Sequence, residues 1–161
     1  MKRKPFIAKK TKTIPSSGIR VIFELAQKYK DMIRLEIGEP DFDTPEHIKK
    51  AAKEALDDGY THYTSSLGML ELREAVAKKL RRENGIDADA TKEVIITSGG
   101  CNAISLALLA TIDPGDEVLV PDPYWSQYHG LVSVTGGIPV FFPVREENQY
   151  RVDAKDIEAK I

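Results

Sequence analysis

Hydrophobic positions recur at helical spacing in the first half of this chain. In three segments between residues 18 and 84, apolar residues return every three or four positions, which is typical of amphipathic helices. Each segment also carries start or stop residues that suit a helix end. The predicted helices begin after the candidate N-caps Ser16 and Ser17, run from Thr44-Pro45 to Gly59, and run from 69 to Gly85.

The second half alternates short, continuous apolar runs with helical ones. Strands are predicted over 93–97, 117–121 and 138–144, with helices over 101–111 and 126–137 between them. This β-α-β-α-β order implies parallel strands joined by right-handed crossovers. The runs lack polar alternation, which is expected when both faces of a sheet are covered. The fold class is therefore α/β.

The predicted sheet is small for an open α/β domain. One more short strand, "MIRLEIG" (32–38), precedes the helices, and the last helix, "RVDAKDIEAKI", has no strand after it. A layered domain needs a sheet wide enough to cover its helices. We therefore expect this chain to be part of a larger domain.

Composition narrows the function classes. The 161 residues are 42% hydrophobic and 30% charged, as in an ordinary globular protein, and a net charge of -2 gives no reason to invoke nucleic acid. The single cysteine, Cys101, excludes an internal disulfide and a metal site built from cysteines. No apolar run approaches the length of a membrane span, and no secretory signal follows the basic start. We expect a flexible basic tail over 1–12 and a cytoplasmic location.

Two loops follow the carboxyl ends of predicted strands, where open α/β sheets bind ligands. The loop "SGGCN" offers backbone N–H groups at a helix start, which suits a phosphate. The loop "DPYWSQY" supplies Trp125, flanked by Tyr124 and Tyr128. Taken one at a time, these signals are weak. A Gly-Gly pair is typical of a tight turn, and a single tryptophan is typical of a core. Cys101 has no base nearby that would make it a nucleophile. Together the two loops suit a phosphorylated aromatic ligand.

Five stretches carry a family resemblance: "IGEPDFDTPEHIKKAAKEAL", "THYTSSLGMLELREAVAKKL", "VIITSGGCNAI", "DPGDEVLVPDPYWSQY" and "GGIPV". In this order and spacing they resemble the class I/II aminotransferases, and most closely the aspartate/aromatic branch. These are enzymes of fold type I that depend on pyridoxal 5'-phosphate (PLP). The resemblance implies a three-layer large domain with a mostly parallel sheet, of which 46–161 is the first part. A small-domain segment and arm over 13–45 would precede it.

The resemblance also implies residue roles. Gly99, Gly100, Cys101 and Asn102 match the residues that hold the PLP phosphate, and Trp125 matches the aromatic residue that stacks on the PLP ring. Two further residues are assigned in the same way: Tyr63 matches a tyrosine that reaches the phosphate of the neighbouring subunit, and Gly38 matches a glycine against the substrate carboxylate. The enzyme is then expected to be a homodimer with shared active sites. Segment 15–20 resembles the part that closes over substrate.

The family also needs a Schiff-base lysine, an aspartate at the pyridine nitrogen and an arginine for the substrate carboxylate. No lysine of this chain has a matching context, so no catalytic residue is assigned in it. We expect the parent protein to transfer amino groups between an L-amino acid and a 2-oxo acid, and this chain alone to be inactive. Two alternatives stay open: a binding module or half of a split enzyme, and a piece of a related fold-type-I lyase or synthase.

Overall fold

The computed structural model describes residues 6–12, 14, 18–29, 31–36 and 38–161. Two compact units share the chain. One contains the residues up to Gly38 together with Gly99–Ile161, and the other contains Glu39–Ser98. The domain boundaries predicted after residues 12 and 45 are not the boundaries between these units, and they stay a prediction. No helix in the described residues is long and apolar enough to cross a membrane.

The first unit is built on two parallel strands. Strand β1 (Glu117–Asp122) pairs in parallel with β2 (Ile138–Pro143), which confirms the predicted pairing of these two runs. The register places Val120 opposite Phe141. Val120 and the neighbouring Phe142 are 3% and 5% exposed, so the apolar runs that predicted the strands also form the core.

Helices flank this strand pair as predicted. Their bounds, in chain order, are α4 Gly100–Thr111, α5 Gln127–Thr135 and α6 Ala154–Glu158. Helix α5 ends at Gly136, whose φ of 98° is a conformation that residues with a Cβ rarely adopt. Asp153 caps α6 by accepting a hydrogen bond from the Lys155 backbone N–H. The crossover from β1 through α5 to β2 therefore matches the predicted β-α-β unit.

The N-terminal part of this unit is helical where it is described. Helix α1 (Gly18–Ala26) buries Ala26, and the Arg34 guanidinium lies 4.8 Å from the centre of the Phe23 ring. A 3-10 turn at Lys9–Lys12 precedes α1, and Lys10 Nζ donates to the Val134 carbonyl of α5 at 3.0 Å. The predicted caps Ser16 and Ser17, and residues 15–17 of the predicted closing segment, lie outside the described residues.

The second unit contains two longer helices. Helix α2 (Glu46–Asp57) is followed by Gly59 at φ 82°, and α3 (Leu70–Lys79) continues into a wider π turn, Leu80–Asn84, that ends at Gly85. Both predicted stop glycines are thus confirmed. The Thr44-Pro45 pair predicts Thr44 as the N-cap of α2 and Pro45 in its first turn. This prediction was wrong, because Pro45 occupies the cap position and no side-chain hydrogen bond caps the helix.

Two predicted strands do not form. Residues 32–36 and 93–97 are extended or irregular, and neither belongs to the two-stranded sheet of the described residues. A strand is stabilised by its ladder rather than by its own apolar pattern. Within 93–97, the Ile96 N–H donates to the Leu67 carbonyl at 3.0 Å and the Glu93 N–H donates to the Asp89 carbonyl at 2.8 Å, and neither bond belongs to a strand ladder. The prediction that 32–38 and 93–97 form strands was therefore wrong for the described residues of both runs.

Candidate functional site

The glycine pair opens helix α4 in a conformation that requires glycine. Gly99 is the N-cap residue, with φ 83° and ψ 171°, a region that is essentially closed to residues with a Cβ. A Cβ on Gly99 would meet no other atom within 4 Å, so the backbone angle is the reason for glycine here and crowding is not.

The first turn of α4 has the polarity that favours an anion. The first intrahelical hydrogen bond runs from the Ala103 N–H to the Gly99 carbonyl at 3.2 Å. The backbone N–H groups before Ala103 therefore take no part in the hydrogen bonds within the helix. The helix is 12 residues long and carries no acidic residue in its first turn. Its dipole therefore presents positive charge at Gly100 and Cys101, both exposed.

The second candidate loop joins β1 to α5 and presents an aromatic surface. Trp125 is 42% exposed, and its ring meets the Tyr128 ring edge-on, with 5.5 Å between the ring centres. The Tyr128 N–H donates to the Trp125 carbonyl at 3.0 Å, which ties the loop to the first turn of α5. Tyr124 turns away and packs against Phe141 of β2. One of the two predicted flanking tyrosines therefore supports Trp125.

Chain topology brings these two loops to the same edge of the strand pair. Helix α5 follows the carboxyl end of β1, while α4 leads into the amino end of β1 through a short turn, so both helices start at the carboxyl edge. The two helices pack against each other. Ile104 of α4 and Tyr128 of α5 line one cavity of about 280 Å³ over β1. The predicted phosphate group and the predicted ring group thus share one edge.

The other two predicted site residues are placed differently. Gly38 is exposed and ends the N-terminal part of the same unit, and a Cβ on it would meet nothing within 4 Å. Tyr63 belongs to the second unit and is fully exposed, in a loop that lines a cavity of about 470 Å³ with Tyr60 and Met69. Full exposure is what a residue needs if its partner belongs to another molecule.

Sequence reasoning missed a buried arginine in the second unit. The helical spacing of Leu72, Val76 and Leu80 predicts that these residues line one packed face of α3. Leu72 is nevertheless 47% exposed, and the next residue, Arg73, is 7% exposed. The Arg73 guanidinium donates to the carbonyls of Gly68 and Ala90 at 3.2 and 2.7 Å. An apolar count treats every arginine as surface, so only three-dimensional packing reveals it.

Comparison with known proteins identifies the family of the chain. Residues 30–161 match the family described as aminotransferase class I and II. An aromatic-amino-acid aminotransferase 2 of Thermococcus litoralis is 49% identical over 142 residues, which is 88% of this chain and 36% of the relative. An aspartate aminotransferase of Pyrococcus horikoshii is 47% identical over 160 residues, which is 99% of this chain and 41% of the relative.

The solved structures give the same result. An aspartate aminotransferase from Thermus thermophilus with maleate superimposes with a TM-score of 0.89 at 37% identity, over 98% of this chain and 42% of that one. The chain thus spans about two fifths of the length of the relatives it matches. Both the fold class and the resemblance found in the sequence are confirmed. This chain belongs to the class I and II aminotransferase family.

Proposed function

We propose that the protein containing this chain transfers an amino group from an L-amino acid to a 2-oxo acid with PLP as its cofactor. The observation that carries the proposal is the start of α4, where Gly99 has glycine-only backbone angles and opens a helix without acidic residues in its first turn. Membership of the family and the named relatives support an aminotransferase. When bound, PLP withdraws electrons from the substrate α-carbon.

The residues at this edge fit the cofactor by their chemistry. The N–H groups and dipole of α4 favour a dianionic phosphate at Gly99, Gly100 and Cys101, and the amide of Asn102 adds a polar side chain. The half-exposed indole of Trp125, supported by Tyr128, offers a flat apolar face for an aromatic ring. In this arrangement the chain orients the ring and excludes water from one of its faces.

We propose further that the active enzyme is a homodimer in which Tyr63 binds the phosphate held by the neighbouring subunit. The full exposure of Tyr63 supports this role. Gly38 is proposed to lie against the substrate carboxylate, where the absence of a Cβ permits close approach. The related enzymes named for aromatic amino acids and for aspartate suggest those two substrate classes.

The test is transfer of a nitrogen label in the protein isolated from its source. The protein is mixed with PLP, a 2-oxo acid and 15N-labelled aspartate or phenylalanine, and the new amino acid is examined by mass spectrometry. We expect the label to appear in it. We expect Trp125→Ala to reduce the rate about tenfold, because an aromatic contact contributes on the order of 1 kcal/mol. Trp125→Phe is the matched control and should retain most of the rate. Absence of label transfer with both donors would refute the proposal.

A further inference from the structure

Arg73 makes an unusual set of contacts for a buried cation. Its Nε donates to the Gly68 carbonyl at 3.2 Å, and its Nη1 donates to the carbonyls of Ala90 and Thr91 at 2.7 and 3.4 Å. The ion pairs found among the described residues do not include Arg73. Burying a charge is unfavourable unless hydrogen bonds to the protein replace those to water. The three backbone carbonyls accept these hydrogen bonds from the Arg73 guanidinium.

The carbonyls that Arg73 binds belong to two distant segments. Gly68 ends the loop that carries Tyr63, whereas Ala90 and Thr91 precede the extended run that leads to Gly99. A guanidinium presents several donors in a rigid fork, so one side chain fixes both segments at once. A lysine offers donors at one point and cannot reproduce this geometry.

A second contact joins the same two segments. Gly68 has φ 93°, and a Cβ on it would lie 2.7 Å from the Cβ of Ile96. The Ile96 N–H donates to the Leu67 carbonyl at 3.0 Å, directly beside this contact. The Tyr63 loop is therefore packed and hydrogen-bonded to Ile96, which lies three residues before Gly99. Arg73, Gly68 and Ile96 together form what we call the brace.

We propose that Arg73 is a positioning residue for the cofactor phosphate. Through the brace it holds the loop that carries Tyr63 against the segment 90–96 of the same unit. The inference rests on the proposed function, because it takes Tyr63 as a phosphate-binding residue. Arg73 itself touches neither substrate nor cofactor. Its effect is on phosphate binding, and it goes beyond the stability of α3.

The experiment compares the affinities of the source protein for PLP and for pyridoxal, which lacks the phosphate. The variants are Arg73→Lys and the milder Ile96→Val, with Val76→Ala as a control that removes a half-buried side chain from α3 outside the brace. Hydrogen exchange of peptides covering 59–68 and 94–100 is measured in parallel. A purely structural role of Arg73 would not change the ratio of the two affinities.

We expect Arg73→Lys to weaken PLP binding about tenfold relative to pyridoxal and to accelerate exchange in both segments, because the charge-assisted hydrogen bonds to one segment are lost. Ile96→Val should act in the same direction with a smaller effect, and Val76→Ala should leave the affinity ratio unchanged. An unchanged ratio in Arg73→Lys and in Ile96→Val would overturn the inference and leave the proposed function intact. If the unmodified protein itself fails to prefer PLP over pyridoxal, the proposed function fails first and the inference fails with it.

Discussion

The interiors of the two units are stabilised by different kinds of contact. In the unit that contains Gly99–Ile161, the buried residues are apolar, and Val120, Val132 and Phe142 among them belong to strands and a helix that pack together. In the unit Glu39–Ser98, Val94 and the arginine Arg73 are the buried residues. The first unit has a conventional apolar core. The second unit depends on the guanidinium of Arg73, which donates hydrogen bonds to backbone carbonyls.

This difference explains where a hydrophobic pattern is informative. Where both partners of a ladder belong to the described chain, as for β1 and β2, the pattern identifies the strands and their pairing. Where segments are joined by a side chain and a backbone carbonyl, as at Arg73 and Gly68, the pattern has no signal for the contact. Substitutions at Phe142 and at Gly68 separate these two modes of stabilisation, because Phe142 lies in the apolar core and Gly68 lies in the brace.

Truncating the apolar core should have the largest effect. Phe142 is 5% exposed in β2, and Phe142→Ala should lower the free energy of unfolding by about 3–5 kcal/mol, through lost burial and the cavity left behind. Urea unfolding measures it. Val152→Ala, at a residue 55% exposed in the same unit, is the control and should change stability by less than about 0.5 kcal/mol. Equal losses in the two variants would show that this unit has no localised core.

Crowding the brace should have the next largest effect. Gly68→Ala adds a Cβ against Ile96 at a positive φ and should cost about 2–4 kcal/mol. Gly59→Ala is the matched control in the same unit, because Gly59 also has a positive φ but a Cβ there meets nothing within 4 Å. It should cost about 1 kcal/mol. Thermal unfolding that is equally affected by both changes would contradict the close approach of Gly68 to Ile96.

Relieving backbone strain in the first unit should give a smaller effect, with the opposite sign. Gln149 has φ 53° and ψ 34°, a left-handed conformation that favours glycine. Gln149→Gly should raise the free energy of unfolding by about 0.5–1 kcal/mol, since relief of strain is partly offset by the greater freedom of glycine in the unfolded chain. Gln149→Ala keeps the strain, so it should bring no gain. Stabilisation by both variants would point to a cause other than the backbone.

Breaking an exposed ion pair should have the smallest effect, and it should depend on pH. Arg145 donates two hydrogen bonds to the Asp156 carboxylate at 2.5 and 3.0 Å, and these bonds lower the pKa of Asp156 below its ordinary value. A lowered carboxyl pKa stabilises the fold above the unfolded pKa, and that stabilisation is lost as pH falls through the folded value.

Asp156→Asn should therefore be less stable than the unchanged protein at pH 7, and the difference should shrink as the pH falls below about 4. Thermal melts across this pH range measure it. Glu158→Gln, on the same helix, is the control and should show a weaker pH dependence. A difference between Asp156→Asn and the unchanged protein that stays constant across this range would rule out the ion pair as its cause.

Much of the fold was predictable because its signals are local. The stop glycines Gly59 and Gly85 and the helix that starts at Gly100 follow from backbone preferences that neighbouring residues set. The glycine turn that we propose to bind the phosphate was predictable in the same way, since Gly99 stands between an apolar run and a helix. The burial of Arg73 depends on carbonyls up to 18 residues away, and the pairing of 93–97 depends on a partner strand. The pattern of neighbouring residues therefore predicts neither the burial of Arg73 nor the missing partner of 93–97.

The most direct test of the central claim, that the Gly99 turn binds the cofactor phosphate, is the affinity of the source protein for PLP and for pyridoxal after Gly99→Ala. Gly115→Ala is the control, because Gly115 has a comparable φ of 100° in the same unit but lies at the amino end of β1. We predict that Gly99→Ala weakens PLP binding at least about tenfold and leaves pyridoxal binding unchanged, while Gly115→Ala changes neither. Equal weakening of both ligands by Gly99→Ala, or no weakening of either, would contradict the account.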